Sequence, residues 1–185
     1  LPYRELGKLV VALDDSELAA LADIEKRSRA NGVPGLVRVE DSARLREIEP
    51  HVAGVAALHS PHTAVVDYAA ITEAMAQDVR VSGGTILLGQ EVTALEIERG
   101  RVRVTTPVSD GVFDRVIACA GLQSDLVARM VGGDPSPKIL PFRGEYWHLS
   151  GAANHLVKGM VYPVPDPRFP FLGVHFTRGV YDDVH

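Results

Sequence analysis

At 185 residues the chain is long enough to bury a core and should form one domain, or one and a fraction. Its 46% hydrophobic and 23% charged residues are ordinary globular values, and a net charge of −5 without a basic run gives no footing for a nucleic-acid partner. No apolar stretch approaches the roughly 20 residues that span a bilayer, and a single cysteine excludes an internal disulfide framework and suits a reducing compartment.

Residues 8–13, KLVVAL, form a short apolar run expected as a strand. Asp14-Asp15-Ser16 then offers helix caps, Ser16 being the expected N-cap. Over 17–30, Leu18, Leu21, Ala22 and Glu25 recur at helical spacing, and Asn31-Gly32 is a stop signal. Residues 35–39 read as a strand. Asp41 or Ser42 caps a short helix that must end by Glu49, because Pro50 disfavours helical geometry before it. Residues 51–66 hold apolar runs split by Ser60-Pro61-His62. Asp67 then leads into a helix from Tyr68 to about Ser82, with a stripe of Ile71, Met75 and Val79 and a Gly83-Gly84 stop.

Residues 85–88 follow as a short buried strand, and this helix–Gly-Gly–strand order is half of a βαβ crossover. Alternation over 92–98 and 102–105 around Arg99-Gly100 predicts a hairpin. A turn at 109–111 leads to 113–120, a strand that becomes apolar throughout, and 125–130 is a short helix closed by Gly132-Gly133. Residues 139–149, 160–164 and 171–176 read as further strands. The first and last portions thus predict a mixed, largely antiparallel layer with helices, and the middle a piece of parallel sheet: an α+β fold.

The apolar strand ends in VIACAGLQSD. Ligands of open α/β sheets sit off the carboxyl ends of strands, and a small pair such as Ala120-Gly121 lets backbone approach a cofactor closely. A plain strand-to-helix turn uses the same pair. Cys119 within this run is expected as a small buried hydrophobe. His59 and His62, with Asp67, fit no common zinc spacing, so no metal is expected there.

The order helix, Gly-Gly, strand, EVT, hairpin, strand, CAGLQSD resembles the FAD-dependent oxidoreductases of the glycine oxidase, sarcosine oxidase and D-amino-acid oxidase superfamily. GKLVVAL, TAVVDYAAI, VIACAGLQSD, PFRGEYW and VYPVPDPRFPFLGVHFTR resemble the L-2-hydroxyglutarate oxidase/dehydrogenase family, essentially along the whole chain. That resemblance implies a split Rossmann-like FAD domain interleaved with a substrate domain. Residues 1–67 and 134–185 would belong to the substrate domain and 68–133 to the FAD domain. It implies FAD as cofactor, with Glu91, Val92, Ala120 and Gly121 as its contacts.

It further implies oxidation of a 2-hydroxy acid, a small hydroxy-dicarboxylate, with L-2-hydroxyglutarate going to 2-oxoglutarate. An amine-oxidising relative and a non-catalytic small-acid module are the alternatives. The family's Gly-rich dinucleotide loop and acidic ribose residue have no counterpart in this sequence. The chain starts at Leu1-Pro2 without a signal-peptide pattern, and it is expected to be an internal fragment that by itself neither retains FAD nor turns over. The expected location is the cytoplasm, including the inner face of the membrane, although no basic amphipathic helix argues for membrane contact.

Oxidising a hydroxy-dicarboxylate requires loss of a hydride, removal of the hydroxyl proton and anchors for two carboxylates. Bidentate Arg is the natural anchor, and Arg143 in PFRGEYW and Arg178 in HFTRG are the candidates; a structural ion pair, with Glu145 or Asp166 as partner, competes for each. Tyr146 is a further substrate contact. If it faces the site, alternation puts His148 on the same face and Trp147 on the other. Tyr162 and His175 are the candidate catalytic pair, His for proton transfer near neutral pH; a satisfied core histidine is the competing reading.

In YPVPDPRFPFLGVHFTRG, Pro163, Pro165, Pro167 and Pro170 fix an excursion between two strands. On the returning strand Phe171, Gly173 and His175 would share the ligand face, and Leu172, Val174 and Phe176 would pack on the core. If Leu172 and Val174 face the cavity instead, the case for His175 falls with the register.

Overall fold

The computed structural model describes residues 1–134, 136, 138–169 and 173–185, and these divide into two compact units. The first holds Leu1–Met75 with Tyr146–His185, the second Ala76–Glu145.

The first unit is built on a five-stranded sheet in the order β10-β9-β2-β4-β3. Its strands are β2 (Lys8–Ala12), β3 (Val37–Val39), β4 (Ala56–Ser60), β9 (Met160–Pro163) and β10 (Phe176–Thr177). β2 runs parallel to β9 and every other pairing is antiparallel. A two-stranded ribbon pairs β1 (Tyr3–Glu5) with β5 (Ala64–Val66). The strand period of two sorts the side chains of β2 between two cores. Leu9 and Val11 pack with Val39, Leu45 and Ala57 under α2 (Ser42–Ile48). Ala12 joins Leu21, Ala56, Leu58 and Val164 under α1 (Leu18–Ala30), with Val10 against them. Burying Leu9, Leu21 or Leu45 stabilises the unit by about 1.5–3 kcal/mol each.

The caps follow from short polar side chains. Asp41 Oδ1 accepts from Ala43 N at 2.8 Å and starts α2, which ends at Glu49 ahead of Pro50. At α1 the expected Ser16 cap is corrected: Asp14 Oδ1 accepts from Ser16 N at 2.9 Å, and a 3-10 turn over Asp15–Glu17 precedes the helix. Glu49, only 4% exposed, is a clamp. Its carboxylate accepts from Lys158 N at 3.0 and 3.1 Å and from Gly159 N at 2.5 Å, fixing the entry to β9.

The second unit contains the sheet β6 (Ala94–Glu98), β7 (Arg101–Thr105) and β8 (Asp110–Phe113), with α4 (Ser124–Met130) against β6. The β6–β7 turn puts Arg99 at φ 50° and Gly100 at φ 82°, the two left-handed residues of a type I′ hairpin. The helix α3 (Tyr68–Val81) forms as its periodicity predicts.

Three expected strands do not form. Residues 85–88, 114–120 and 139–149 carry no strand, and β8 covers only the beginning of the expected 113–120 strand. A buried strand needs ladder partners on its edges, and no described residue of this chain supplies them. The apolar side chains of these runs consequently stand open, Leu88 at 83% and Ile117 at 88% exposure, and Cys119 is exposed rather than a buried hydrophobe. Of the expected 171–176 strand, Phe171 and Leu172 lie outside the described residues, and pairing covers Phe176–Thr177. Pro170 also lies outside them.

Candidate functional site

Where β2, β9 and β10 lie side by side, four polar side chains gather on one face. Lys8 Nζ sits 3.8 Å from the centroid of the Tyr162 ring, a cation–π contact, and burial pushes the ammonium below its ordinary value. Tyr162 stacks on His175 with centroids 4.3 Å apart and 27° between planes, and its hydroxyl shares a 3.2 Å hydrogen bond with Thr177 Oγ1. Parallel pairing of Val10 with Tyr162 and antiparallel pairing of Thr177 with Met160 bring these residues together.

The tautomer of His175 follows from its partner. Its Nδ1 lies 2.9 Å from Gly173 O, and a carbonyl only accepts, so Nδ1 carries the hydrogen. In the neutral ring Nε2 is then the lone-pair nitrogen, able to take a proton.

Val174 and Phe176 point to the other face of the sheet. They line a cavity of about 420 Å³ with Val11, Val52, Leu149 and Val161 among its walls, and Val174 is 89% exposed. The expected packing of Val174 and Phe176 on the core is therefore corrected: Val174 faces a cavity, as the condition set against His175 requires, and Leu172, its other residue, lies outside the described residues. Among the described residues its lining holds no Lys or Arg; its polar groups are Glu49, whose carboxylate is engaged by Lys158 N and Gly159 N, His51 and Tyr162, and Lys8 is not among its walls.

Tyr146 and His148 share a face, as alternation requires. Both rings approach His185, at 5.3 Å and 5.6 Å, while Trp147 is 84% exposed. Arg178 is heavily engaged: Nε donates to Asp182 Oδ1 at 2.9 Å, and Nη1 donates to Asn154 O at 3.0 Å and Val157 O at 2.7 Å. Arg4 also donates to Asp182 Oδ1, and with Arg178 it holds that carboxyl below its ordinary value.

Arg143 belongs to the second unit, where its exposed guanidinium lies 3.7 Å from Glu145 Oε1. In the same unit Glu91 is exposed and Val92 and Ala120 are half-buried. Thr93 N donates to Thr105 O at 2.8 Å and seats the EVT segment on the hairpin. Gly121 has φ 54°, a left-handed geometry, and nothing lies within 4 Å of where a Cβ would stand. A 3-10 turn over Gly121–Gln123 leads from it into α4, with Ser124 Oγ donating to Gly121 O at 2.7 Å. An open, glycine-built backbone at the head of this turn fits close approach of a nucleotide cofactor.

Sequence reasoning passed over Lys8 and Thr177. The available signal was a lysine opening an otherwise apolar strand, KLVVA, in phase with Val10. Nothing local marks Thr177, which joins the cluster only through the pairing of β10 with β9.

The family model described as FAD dependent oxidoreductase matches residues 1–183. The chain is 42% identical to the mitochondrial L-2-hydroxyglutarate dehydrogenase of Caenorhabditis briggsae, over 100% of this chain and 44% of that protein. It is 44% identical to the mitochondrial L-2-hydroxyglutarate dehydrogenase of Nematostella vectensis, over 96% of this chain and 42% of that protein. Among solved structures, the FAD-bound, dithionite-reduced L-alpha-glycerophosphate oxidase of Mycoplasma pneumoniae superposes with a TM-score of 0.78 at 19% identity, covering 99% of this chain and 49% of that one. The chain thus spans less than half the length of these relatives. No helix among the described residues is long and apolar enough to cross a membrane.

Proposed function

The chain belongs to the FAD-dependent oxidoreductase family, and from that premise we propose that it is part of an enzyme oxidising a 2-hydroxy acid, L-2-hydroxyglutarate, to 2-oxoglutarate. The observation that carries this reading is identity of about 42% to an L-2-hydroxyglutarate dehydrogenase along the whole chain. The Lys8–Tyr162–His175 cluster supports it with a cation and a proton acceptor on one face of the sheet.

Bound FAD would supply the two-electron acceptor. Glu91, Val92, Ala120 and Gly121 would hold it, Gly121 through the close backbone approach that its left-handed, side-chain-free geometry allows. His175 Nε2 accepts the hydroxyl proton as the alcohol carbon gives up its hydride to the two-electron acceptor, so the O–H and C–H bonds break, the C=O bond forms, and two protons and two electrons leave the substrate in all. The Gly173 carbonyl and the Tyr162 ring hold the imidazole in that tautomer and orientation. Lys8 binds a substrate carboxylate, and in its partly desolvated position that charge-assisted contact is stronger than in water. We assign Arg178 to holding the segment 154–157 through Asn154 O and Val157 O, which takes it from the role of a free substrate anchor; Tyr146 and Arg143 stay candidate substrate contacts.

The full-length enzyme, mixed anaerobically with L-2-hydroxyglutarate, glycine or sarcosine and followed by bleaching of the flavin absorption, tests this reading. Bleaching by L-2-hydroxyglutarate supports it. Bleaching by the amines alone overturns it.

A further inference from the structure

Asp183 and His185 stand two residues apart on one extended segment, so their side chains leave the same face. The segment runs back beside β10: Thr177 N donates to His185 O at 2.6 Å, His185 N donates to Thr177 O at 3.1 Å, and Arg178 bridges to Val184. On its other edge Leu149 N donates to Val184 O at 2.9 Å, which sets His148 beside the pair. One ring nitrogen from each of His148 and His185 and one Asp183 oxygen all lie within 4.8 Å of one another.

Two observations mark this triad as more than a surface coincidence. His185 Nδ1 is buried and makes no hydrogen bond to any described residue, yet it stands 3.4 Å from Asp183 Oδ2. A ring nitrogen opposite a carboxylate oxygen is held there only by a positive charge between them, a proton or a metal ion, and a buried polar atom left unpaired costs about 1–3 kcal/mol. The backbone that carries the carboxylate is also held in place: Gly179 N donates to the Asp183 main-chain O at 2.7 Å, and Asp183 Oδ1 occupies the space a Cβ at Gly179 would take. Tyr146 packs edge-on against the His185 ring and limits its rotation.

We propose that His148, Asp183 and His185 bind a divalent transition-metal ion of the zinc class through three protein ligands, with the remaining coordination open to water. Two imidazoles and a carboxylate are a zinc-type donor set, whereas calcium and magnesium take oxygen ligands. Metal–ligand bonds of about 2.0–2.2 Å put ligand atoms of a tetrahedral ion roughly 3.3–3.6 Å apart, a contraction within reach of small χ rotations of the exposed His148. The triad does not depend on the proposed oxidation, and its test does not require turnover.

The test is titration of the full chain with Zn²⁺ by calorimetry, repeated for His148→Gln, Asp183→Asn, His185→Gln and Gly179→Ala. One ion per chain is expected, with affinity falling more than ~10-fold in each variant, Gly179→Ala acting by displacing a ligand it does not itself supply. Absence of stoichiometric binding, or binding unchanged in all four variants, overturns the proposal. A mapping on the unaltered chain covers any variant that fails to fold. Added Co²⁺ should broaden the ring signals of His148 and His185 at the lowest ratios, and broadening centred on His51, His59, His62, His155 or His175 instead overturns it.

Discussion

The Tyr162 and His175 rings, thirteen positions apart in the chain, stack at 4.3 Å across the β9–β10 pairing, with His175 Nδ1 turned to the Gly173 carbonyl. This leaves Nε2 as the basic nitrogen. In the full-length enzyme His175→Gln should lower the rate of flavin reduction by roughly 10²–10⁴-fold, the usual weight of a general base. Tyr162→Phe keeps the stack, loses only the bond to Thr177, and should cost less than ~10-fold, in line with a single neutral hydrogen bond. Stopped-flow reduction of the flavin measures both. Equal, small effects of the two variants would remove His175 from the proton transfer.

Lys8 Nζ sits 3.8 Å from the centroid of the Tyr162 ring of this pair. Lys8→Met keeps a side chain of similar length and removes the charge that sits over the Tyr162 ring. KM for L-2-hydroxyglutarate should rise roughly 10–100-fold, as expected for loss of one charge-assisted bond, with a much smaller change in kcat. A change confined to kcat would contradict an anchoring role.

Glu49 holds Lys158 N and Gly159 N inside the first unit. Glu49→Gln keeps one acceptor and should destabilise the unit by about 1–3 kcal/mol, read as a lower urea midpoint at unchanged slope. Glu49→Ala, which leaves both N–H groups unpaired, should cost more. A neutral result for the alanine variant would mean that the 158–159 segment finds other acceptors.

Arg168 donates to Asp166 through Nε and Nη2, which with the Arg168 backbone N–H holds the carboxyl at about 2, against an ordinary 3.8. The folded value is depressed, so the stabilising contribution is present above pH 3.8 and is lost as pH falls through about 2. Carbon-13 NMR titration should find the Asp166 carboxyl ionised at pH 3, and Arg168→Gln should return its midpoint toward 3.8. An unchanged midpoint in the variant would break the assignment of cause.

Elements whose cause is local were legible in the chain itself. The apolar run Leu9-Val10-Val11-Ala12 marked a strand, and the structure divides its residues between two cores because a strand's side chains change face at every residue. The helical spacing of Leu18, Leu21 and Ala22 marked α1, and Arg99-Gly100 marked the hairpin turn. The parity of Tyr146 and His148 against Trp147 held even though no strand formed there, since extended backbone alternates with or without a ladder. Misreadings came where an element depends on partners. Residues 85–88 and 116–120 are apolar enough for buried strands, but hydrophobicity does not supply a neighbouring edge.

The amino-acid order alone thus marked most helices and strands of the first unit, the stops at Gly32 and Pro50, and the family resemblance, and it offered Tyr162 and His175 as candidates. Only the tertiary structure decided that Lys8 covers Tyr162, that His175 carries its hydrogen on Nδ1, that Arg178 is spent largely on Asp182 and two carbonyls, and that His148 meets Asp183 and His185. Periodicity and capping act over a few residues, while each of those contacts, save the turn around Gly173 and the Arg178–Asp182 pair, joins segments brought together by strand pairing over long chain separations.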